Sequence, residues 1–324
     1  MRSYVKTRLG LLPRINEAWN LYHSHTRNVG DNVRQLLDQA RIAESKLELL
    51  LGKPVKGLKM LEIGPGQQLL QLAYFGMHNE VVGIDLDVIA QRMNITGFVQ
   101  MAKQNGWVRT CKTVARKMVG IDSKVRKELL SQLGLHSLPN FHVLQMDAAK
   151  MEFPDEQFDV VFSRAVFEHI PNPEAVISEM RRVLKPNGVM FIALHLYSSD
   201  SGCHDTRIFV GNRETLPFWA HLRPEHESEA RPNSYLNKLS LAEWRRVFEA
   251  EMQSSEIIPL CDAGEAERKE LLRLRSQDQL ASYSDEELLT VTLQVRWRKP
   301  MEFQSADPIG MGLQDSTMHS LDLA

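Results

Sequence analysis

Four residues near the first regular elements have types and spacing suited to binding a nucleotide-like ligand. Glu62, Gly64 and Gly66 lie at the end of a short apolar run, and Asp85 ends a second apolar run 21 positions after Gly64. Glycine lets the backbone approach a ligand closely, and the N–H groups of a following helix attract an anion. A carboxylate about 20 residues beyond such a turn typically binds ribose hydroxyls. The spacing therefore indicates a ligand that contains a ribose.

Glu62 narrows the choice of ligand. A dinucleotide would place its pyrophosphate near this carboxylate, and repulsion between like charges is costly in a partly dry cleft. S-adenosylmethionine presents instead an ammonium group, which suits Glu62, and a carboxylate, which suits the helix start. We therefore expect Glu62, Gly64, Gly66 and Asp85 to bind S-adenosylmethionine.

Three stretches, in this order, resemble the class I S-adenosylmethionine-dependent methyltransferases. Residues 59–87 resemble the first motif of that family, although Gln68 stands where many members have a third glycine. Residues 158–170 and 182–188 resemble the group that includes the ubiquinone and menaquinone methyltransferases. The resemblance spans roughly residues 58–195 and implies an α/β, Rossmann-like fold with S-adenosylmethionine as cofactor. It leaves the acceptor open, because members of that group methylate oxygen, nitrogen and carbon.

The elements that position these residues are predicted from hydrophobic periodicity. Short apolar runs predict strands at 59–63, 81–84, 141–146, 158–162, 189–194, 255–260 and 288–297. Helices are predicted at 31–51, 69–75, 174–184 and 265–280, with Asn172 and Ser240 as N-caps of the third helix and of one further helix. Together with the resemblance, these elements indicate a seven-stranded, mostly parallel sheet with an antiparallel last strand. The expected layout is an N-terminal helical cap at 1–56, a methyltransferase domain at 57–298 with a helical insertion at 88–138, and a disordered tail at 299–324.

Ligands of an open α/β sheet bind at the carboxyl ends of its strands, which brings four further residues into the predicted site. Asp147 follows the third strand and is a candidate acceptor for the adenine amino group; the alternative is a role in a turn. Ser163 ends the fourth strand and His169 follows it, so we expect both to line the cofactor pocket. His195 ends the fifth strand and is the first candidate for the general base, with His169 second, because histidine titrates near neutral pH.

The segment 197–237 has no regular periodicity and leaves the carboxyl end of the fifth strand. Loops of this length inside a domain usually carry function, so we predict that it is a lid over the acceptor. His204, Trp219, His221 and Arg223 are the predicted acceptor-binding residues. Its residues 201–205, 217–223 and 235–237 loosely resemble methyltransferases encoded with bacterial polysaccharide biosynthesis. Aromatic faces beside His, Asp and Arg would suit a sugar or a sugar-phosphate. The alternative is an irregular insertion that packs Trp219 onto the core.

Composition places limits on partners and compartment. The 324 residues include 43% hydrophobic and 25% charged residues, as in an ordinary globular protein, and the net charge of −2 makes no case for nucleic acid or a membrane surface. No apolar run reaches the about 18 residues of a membrane-spanning helix. Three scattered cysteines predict neither a disulfide framework nor a metal site, and they indicate a reducing compartment, the cytoplasm.

Two motif positions disfavour methylation of nucleic acid. Residues 163–166 stand where enzymes that methylate base amino groups usually carry an Asn/Asp-Pro-Pro-aromatic element. None of the cysteines follows a proline, as the nucleophile of C5 pyrimidine methylation does.

These observations predict transfer of a methyl group from S-adenosylmethionine to a small-molecule or glycan acceptor, at a hydroxyl. One alternative is an S-adenosylmethionine-binding protein without turnover, acting as a regulatory or scaffold subunit. Another is a dinucleotide oxidoreductase, which Glu62 and Gln68 disfavour. The sequence leaves open the oligomeric state and the role of the basic insertion at 88–138.

Overall fold

The computed structural model describes residues 28–87, 99, 101–103, 110, 113–114, 117, 120–209, 213 and 215–301. Three regions singled out in the sequence therefore lie outside the described residues. They are residues 1–27 of the predicted N-terminal cap, 24 of the 51 residues of the insertion at 88–138, and the predicted tail from residue 302 onwards.

A seven-stranded sheet forms the centre of the chain, and its strands have the order β3-β2-β1-β4-β5-β7-β6. Strands β1 to β5 are parallel, while β7 runs antiparallel to both β5 and β6. The predicted mostly parallel sheet with an antiparallel last strand is confirmed. The strands are β1 Lys59–Ile63, β2 Glu80–Asp85, β3 His142–Gln145, β4 Phe158–Arg164, β5 Leu184–His195, β6 Glu256–Leu260 and β7 Thr292–Arg298.

The described α-helices begin and end at residues that local chemistry explains. Helix α1 ends where Gly52 adopts a left-handed conformation, with φ of 68°. Asn172 caps helix α4 by accepting from the backbone N–H of Ala175, and Ser240 and Glu243 form a capping box at α6. The helices are α1 Val29–Leu51, α2 Leu70–Phe75, α3 Ile121–Leu133, α4 Pro173–Val183, α5 Thr206–Phe209, α6 Leu241–Glu251, α7 Glu265–Arg275 and α8 Asp285–Leu289.

Helices cover both faces of the sheet, because alternate strand residues point to opposite sides. In β4, Val160 and Phe162 pack with α1, α2 and α3, whereas Val161 packs with α4 and α6. Helix α1 contributes the buried residues Val33, Leu37, Ala40, Ala43 and Leu47 to the first face. The described part of the predicted N-terminal cap is therefore one layer of the sheet's own core.

Several predicted boundaries differ from the structure. Strand β5 begins at Leu184 instead of residue 189, although Asn187 within it has φ of 60°, the left-handed conformation of a turn residue. Helix α7 ends at Arg275 instead of residue 280. The last strand begins at Thr292, because Leu288 belongs to helix α8 and is fully buried there.

The segment 197–237 folds into short helical pieces that pack on the domain. It contains α5 and the 3-10 turns Asp200–Cys203, Ala220–Leu222 and Glu227–Glu229. Its aromatic residue Trp219 is fully buried in a third core cluster with Leu271, Leu274, Leu280 and Leu288. Short-range periodicity does not reveal this packing, because the partners come from α7, α8 and the chain between them.

None of the described helices combines the length and the apolar composition that crossing a membrane requires.

Candidate active site

The glycine turn after β1 is held in one backbone conformation by its surroundings. Gly64 and Gly66 have φ of 71° and 64°, which favours glycine at both positions. The Gly64 N–H donates to the carbonyl oxygen of Ile84 at 2.8 Å, which ties the turn to the end of β2. A Cβ atom at Gly64 would lie 2.4 Å from Cγ2 of Val166, closer than real atoms approach. A larger residue at Gly64 would therefore displace the chain that follows β4.

Glu62 is a buried carboxylate at the carboxyl end of β1. Only 4% of its surface is exposed, and its Oε2 atom has no hydrogen-bond partner. Burial raises the pKa of Glu62 to about 8; the nearby Arg164 guanidinium opposes this shift, and the Asp85 carboxylate adds to it. A ligand cation would satisfy this oxygen and stabilise its charged form. The residue thus fits the ammonium group of S-adenosylmethionine.

Asp85 and Asp147 both form turns immediately after their strands. Asp85 Oδ1 accepts from the backbone N–H of Asp87 at 2.8 Å, and Asp147 Oδ1 accepts from Ala149 at 2.9 Å. These bonds fix each carboxylate at the same edge of the sheet as the glycine turn. For Asp147, which is exposed, the turn role that the sequence left open is observed, and the adenine contact stays a prediction.

Ser163 is buried, and its hydroxyl donates to the carbonyl oxygen of Ile63 at 3.0 Å. This bond ties the ends of β1 and β4 together below the glycine turn. Ser163 therefore supports the turn, and its predicted direct contact with the cofactor stays a prediction.

Three of the predicted residues come together beside this turn. His195 at the end of β5, His204 after the 3-10 turn Asp200–Cys203, and His169 after β4 form an imidazole cluster: the ring centroids of His195 and His204, and of His169 and His204, are 4.9 Å apart. The His195 Nε2 atom lies 2.8 Å from the Ser201 hydroxyl oxygen, and His169 Nδ1 lies 2.8 Å from the carbonyl oxygen of Tyr235.

Glu168 completes this cluster, although we assigned it no role from the sequence. Its Oε1 atom lies 3.8 Å from Nε2 of His204, and the residue is only 2% exposed. The sequence feature that could identify Glu168 as a site residue is its position beside His169 in the stretch after β4. An acidic residue beside a predicted histidine was not enough to show that its carboxylate points inward.

Burial controls the charge of the cluster. It lowers the pKa of His195 to about 4 and that of His204 to about 3, because a charged imidazole loses its hydration. Burial also raises the pKa of Glu168 to about 7, against the opposing effects of nearby backbone N–H groups and of Arg164. At neutral pH both imidazoles are uncharged and present lone pairs. The lowered pKa values disfavour binding of a proton, whereas each neutral imidazole can still offer its lone pair to another Lewis acid.

The remaining predicted acceptor residues have contacts within segment 197–237. His221 Nε2 lies 2.8 Å from the carbonyl oxygen of Tyr197, and Arg223 pairs with Glu225 at 3.2 Å. Trp219 has no exposed surface with which to contact an acceptor. The structure therefore favours the alternative in which Trp219 is a packing residue.

An open, mostly parallel sheet with this glycine turn, Glu62 and Asp85 at its carboxyl edge defines a Rossmann-like, nucleotide-binding α/β protein. A family model described as a methyltransferase domain matches residues 34–252, more than half of the chain. The chain belongs to this methyltransferase family, whose class I members use S-adenosylmethionine as cofactor.

Individual relatives cover shorter stretches. The phosphatidylethanolamine N-methyltransferase of Cereibacter sphaeroides is 38% identical over 76 residues, 24% of this chain and 36% of that protein. The ubiquinone biosynthesis O-methyltransferase of Pelagibacter ubique is 29% identical over 141 residues, 44% of this chain and 43% of that protein. The chain thus spans less than half the length of each of these relatives.

Among solved structures, the chain resembles phosphoethanolamine N-methyltransferase 2 of Haemonchus contortus in complex with S-adenosyl-L-methionine. The identity is 18% and the TM-score is 0.40, covering 80% of this chain and 52% of that chain.

Proposed function

We propose that this protein transfers a methyl group from S-adenosylmethionine to a hydroxyl group of a small-molecule or glycan acceptor. The observation that carries the proposal is the position of the imidazole cluster and Glu168, at the same sheet edge as the glycine turn. A methyl donor bound at the turn and an acceptor bound at the cluster would then be neighbours.

On the cofactor side, the chain offers groups that suit the ammonium group and the ribose of the ligand. Glu62 provides the unpaired buried oxygen that suits an ammonium group. The backbone at Gly64 allows close approach, and Asp85 supplies the carboxylate for the ribose hydroxyls. When bound, S-adenosylmethionine supplies the methyl group and leaves as S-adenosylhomocysteine.

On the acceptor side, the reaction needs alignment and removal of one proton. Methyl transfer is an in-line displacement, so holding the acceptor oxygen close to the methyl carbon provides much of the acceleration. The acceptor hydroxyl must lose its proton as the new carbon–oxygen bond forms. Glu168, whose pKa of about 7 suits a general base, is the group of the cluster best able to accept that proton. His195, the first candidate from the sequence, is the weaker base, because burial lowers its pKa to about 4.

The relatives support both oxygen and nitrogen as the atom methylated, since one carries an O-methyltransferase name and another an N-methyltransferase name. We favour oxygen, because the cluster contains proton acceptors. An amine acceptor is the second candidate and enters the test below. Cys203 and Cys261 are free thiols, which agrees with the proposed cytoplasmic location.

The first test compares ligands by thermal unfolding of the full chain. S-adenosylhomocysteine should raise the melting temperature, since a ligand at a hundredfold excess over its Kd adds about 2.7 kcal/mol of stability. NAD should leave it unchanged. A shift with NAD and none with S-adenosylhomocysteine would refute the assignment of the cofactor.

The second test measures transfer of labelled methyl groups to a panel of phenolic, sugar and amine acceptors. We expect wild type to methylate a hydroxyl acceptor. Glu168→Gln should show lower turnover of that acceptor and normal S-adenosylhomocysteine binding. Turnover of amines alone would move the methylated atom to nitrogen. If the protein binds the cofactor but shows neither turnover of an acceptor nor slow background turnover, the inactive, regulatory alternative is favoured.

A further inference from the structure

Glu168, His195 and His204 come from three separate segments and place their ligand atoms within 4.8 Å of one another. Glu168 lies in the 3-10 turn Phe167–His169 after β4, His195 ends β5, and His204 follows the next turn. These groups are brought together by the tertiary fold and not by proximity in the sequence. The spacing of the cysteines predicts no metal site, because the histidines and the carboxylate of this trio are brought together only by the fold.

Three of the potential ligand atoms in this trio lack hydrogen bonds. Both carboxylate oxygens of Glu168 and the Nε2 atom of His204 are buried without a hydrogen-bond partner among the described residues. Backbone N–H groups of Glu168 and His195 lie near the carboxylate, but outside hydrogen-bond geometry. Leaving a buried carboxylate unpaired is costly, so such groups normally have a partner. A cation between the three groups would satisfy all of these atoms at once.

The geometry points to a divalent transition-metal site, of the Zn²⁺ type, formed by Glu168, His195 and His204. Two imidazole nitrogens and one carboxylate oxygen, with an open position for a further ligand, are a common set for catalytic zinc and for ferrous iron. This inference rests on the proposed function, because the open position would receive the acceptor oxygen. The acceptor would then carry a metal-binding hydroxyl, as a phenol or a vicinal diol does.

The distances require only small side-chain movements. Metal–ligand bonds of about 2.0–2.1 Å place neighbouring ligand atoms of a tetrahedral site about 3.3 Å apart. The Nε2 atom of His204 and the Oε1 atom of Glu168 are separated by 3.8 Å. The widest separation in the trio is within 4.8 Å, so rotations of the imidazole rings can close the set. The Ser201 hydroxyl, bonded to His195, can orient that ring as outer-shell partners do.

The proposed step balances without a redox partner. Once Glu168 and His195 bind the metal, they no longer accept the proton. The metal would instead lower the pKa of the acceptor hydroxyl, whose proton passes to solvent. The acceptor oxygen then forms a bond to the methyl carbon as the carbon–sulfur bond breaks, and the sulfur keeps the electron pair.

The experiment measures metal binding directly on the full chain. Chelator-treated protein is titrated with Zn²⁺ against a chromophoric competitor, and with Co²⁺ by its visible absorption. Wild type should bind one equivalent. Because even outer-shell partners change metal affinity by about 10- to 100-fold, loss of a ligand in His204→Asn or Glu168→Gln should weaken binding by at least about a hundredfold.

The variants are chosen to preserve the backbone. His204 has φ of 53°, a left-handed conformation that asparagine tolerates better than alanine. The matched control is His226→Asn, which removes a histidine from the same segment, where His226 pairs with Glu229 at 2.7 Å. The control should bind Zn²⁺ like wild type. Circular dichroism and S-adenosylhomocysteine affinity establish that each variant is folded.

Absence of Zn²⁺ and Co²⁺ binding by wild type, or equal binding by wild type and both ligand variants, would overturn the metal site. Calorimetry with S-adenosylhomocysteine separates this outcome from failure of the proposed function. Cofactor binding without metal binding refutes the metal site alone. Metal binding without cofactor binding refutes the methyltransferase proposal and leaves a metal site of another kind.

Discussion

Replacement of Glu62 by glutamine tests how the cofactor is recognised. Glu62 is 4% exposed, and burial raises its pKa from 4.5 to about 8. Between these pH values the folded protein holds a proton that the unfolded chain has lost. Stability conferred by this group therefore falls as pH rises through the window and becomes constant above it. Glu62→Gln cannot ionise, so it should lack this fall.

The size of the effect follows from the pKa of Glu62. A rise from 4.5 to about 8 corresponds, at 1.36 kcal/mol per pH unit, to a cost of at most about 5 kcal/mol. Relative to wild type, Glu62→Gln should thus gain stability with pH, by several kcal/mol between about pH 5 and pH 8.5. The ligand ammonium should reverse the effect in wild type, because pairing favours the ionised carboxylate.

Two measurements check this reasoning. Denaturant unfolding of ligand-free wild type and Glu62→Gln across the pH range gives the stability difference. Calorimetry with S-adenosylhomocysteine in buffers of different ionisation enthalpy gives the protons released on binding. Wild type should release a proton near pH 7 and bind more tightly as pH rises, by up to about tenfold per pH unit. Glu62→Gln should bind more weakly and without that slope. Parallel stability curves, or equal proton release by both proteins, would refute the assignment of Glu62 to the ammonium.

Three further substitutions test the turn, the ribose contact and the packing of segment 197–237. Asp85→Ala should weaken S-adenosylhomocysteine binding by roughly 1.5–3 kcal/mol in calorimetry; an unchanged Kd would exclude the charge-assisted contact. Gly64→Ala should destabilise the fold by roughly 2–4 kcal/mol, since φ is 71° and the added Cβ meets Val166. A midpoint of unfolding at the same denaturant concentration as wild type would contradict this. Trp219→Ala should cost about 3–5 kcal/mol, whereas Leu272→Ala, at a residue 71% exposed, should stay within about 0.5 kcal/mol. Equal stabilities of these two variants would argue that Trp219 lies at a surface.

The cofactor edge of the site could be located from the sequence because its information is local. Strand, turn and terminal acid are consecutive in the chain, and parallel strands bring their carboxyl ends to one edge. The placement of Glu62, Gly64 and Asp85 at that edge therefore does not depend on the packing of distant segments. The same reasoning placed His169 and His195 beside the turn, and the structure adds that His204 joins them.

The acceptor edge could not be derived in this way. Whether Trp219 binds a ligand or fills a core depends on Leu271, Leu274 and Leu288, which are more than fifty positions away in the chain. Glu168 points inward because Phe167 beside it is anchored in the core between α4 and α6. Such orientations depend on long-range packing, which no window of neighbouring residues contains.

The position of β7 between β5 and β6 has a consequence for synthesis of the chain. Strand β6 emerges from the ribosome before β7, yet within the described sheet it pairs only with β7. The edge of β5, apolar and buried from Val189 to Leu194, also stays open until residue 298 has been made. Unpaired apolar edges are aggregation sites, so a nascent chain that stalls after β6 would expose that edge to non-native pairing. Pairing of β7 with β5 and β6 therefore closes the interior of the described sheet only at the end of its synthesis.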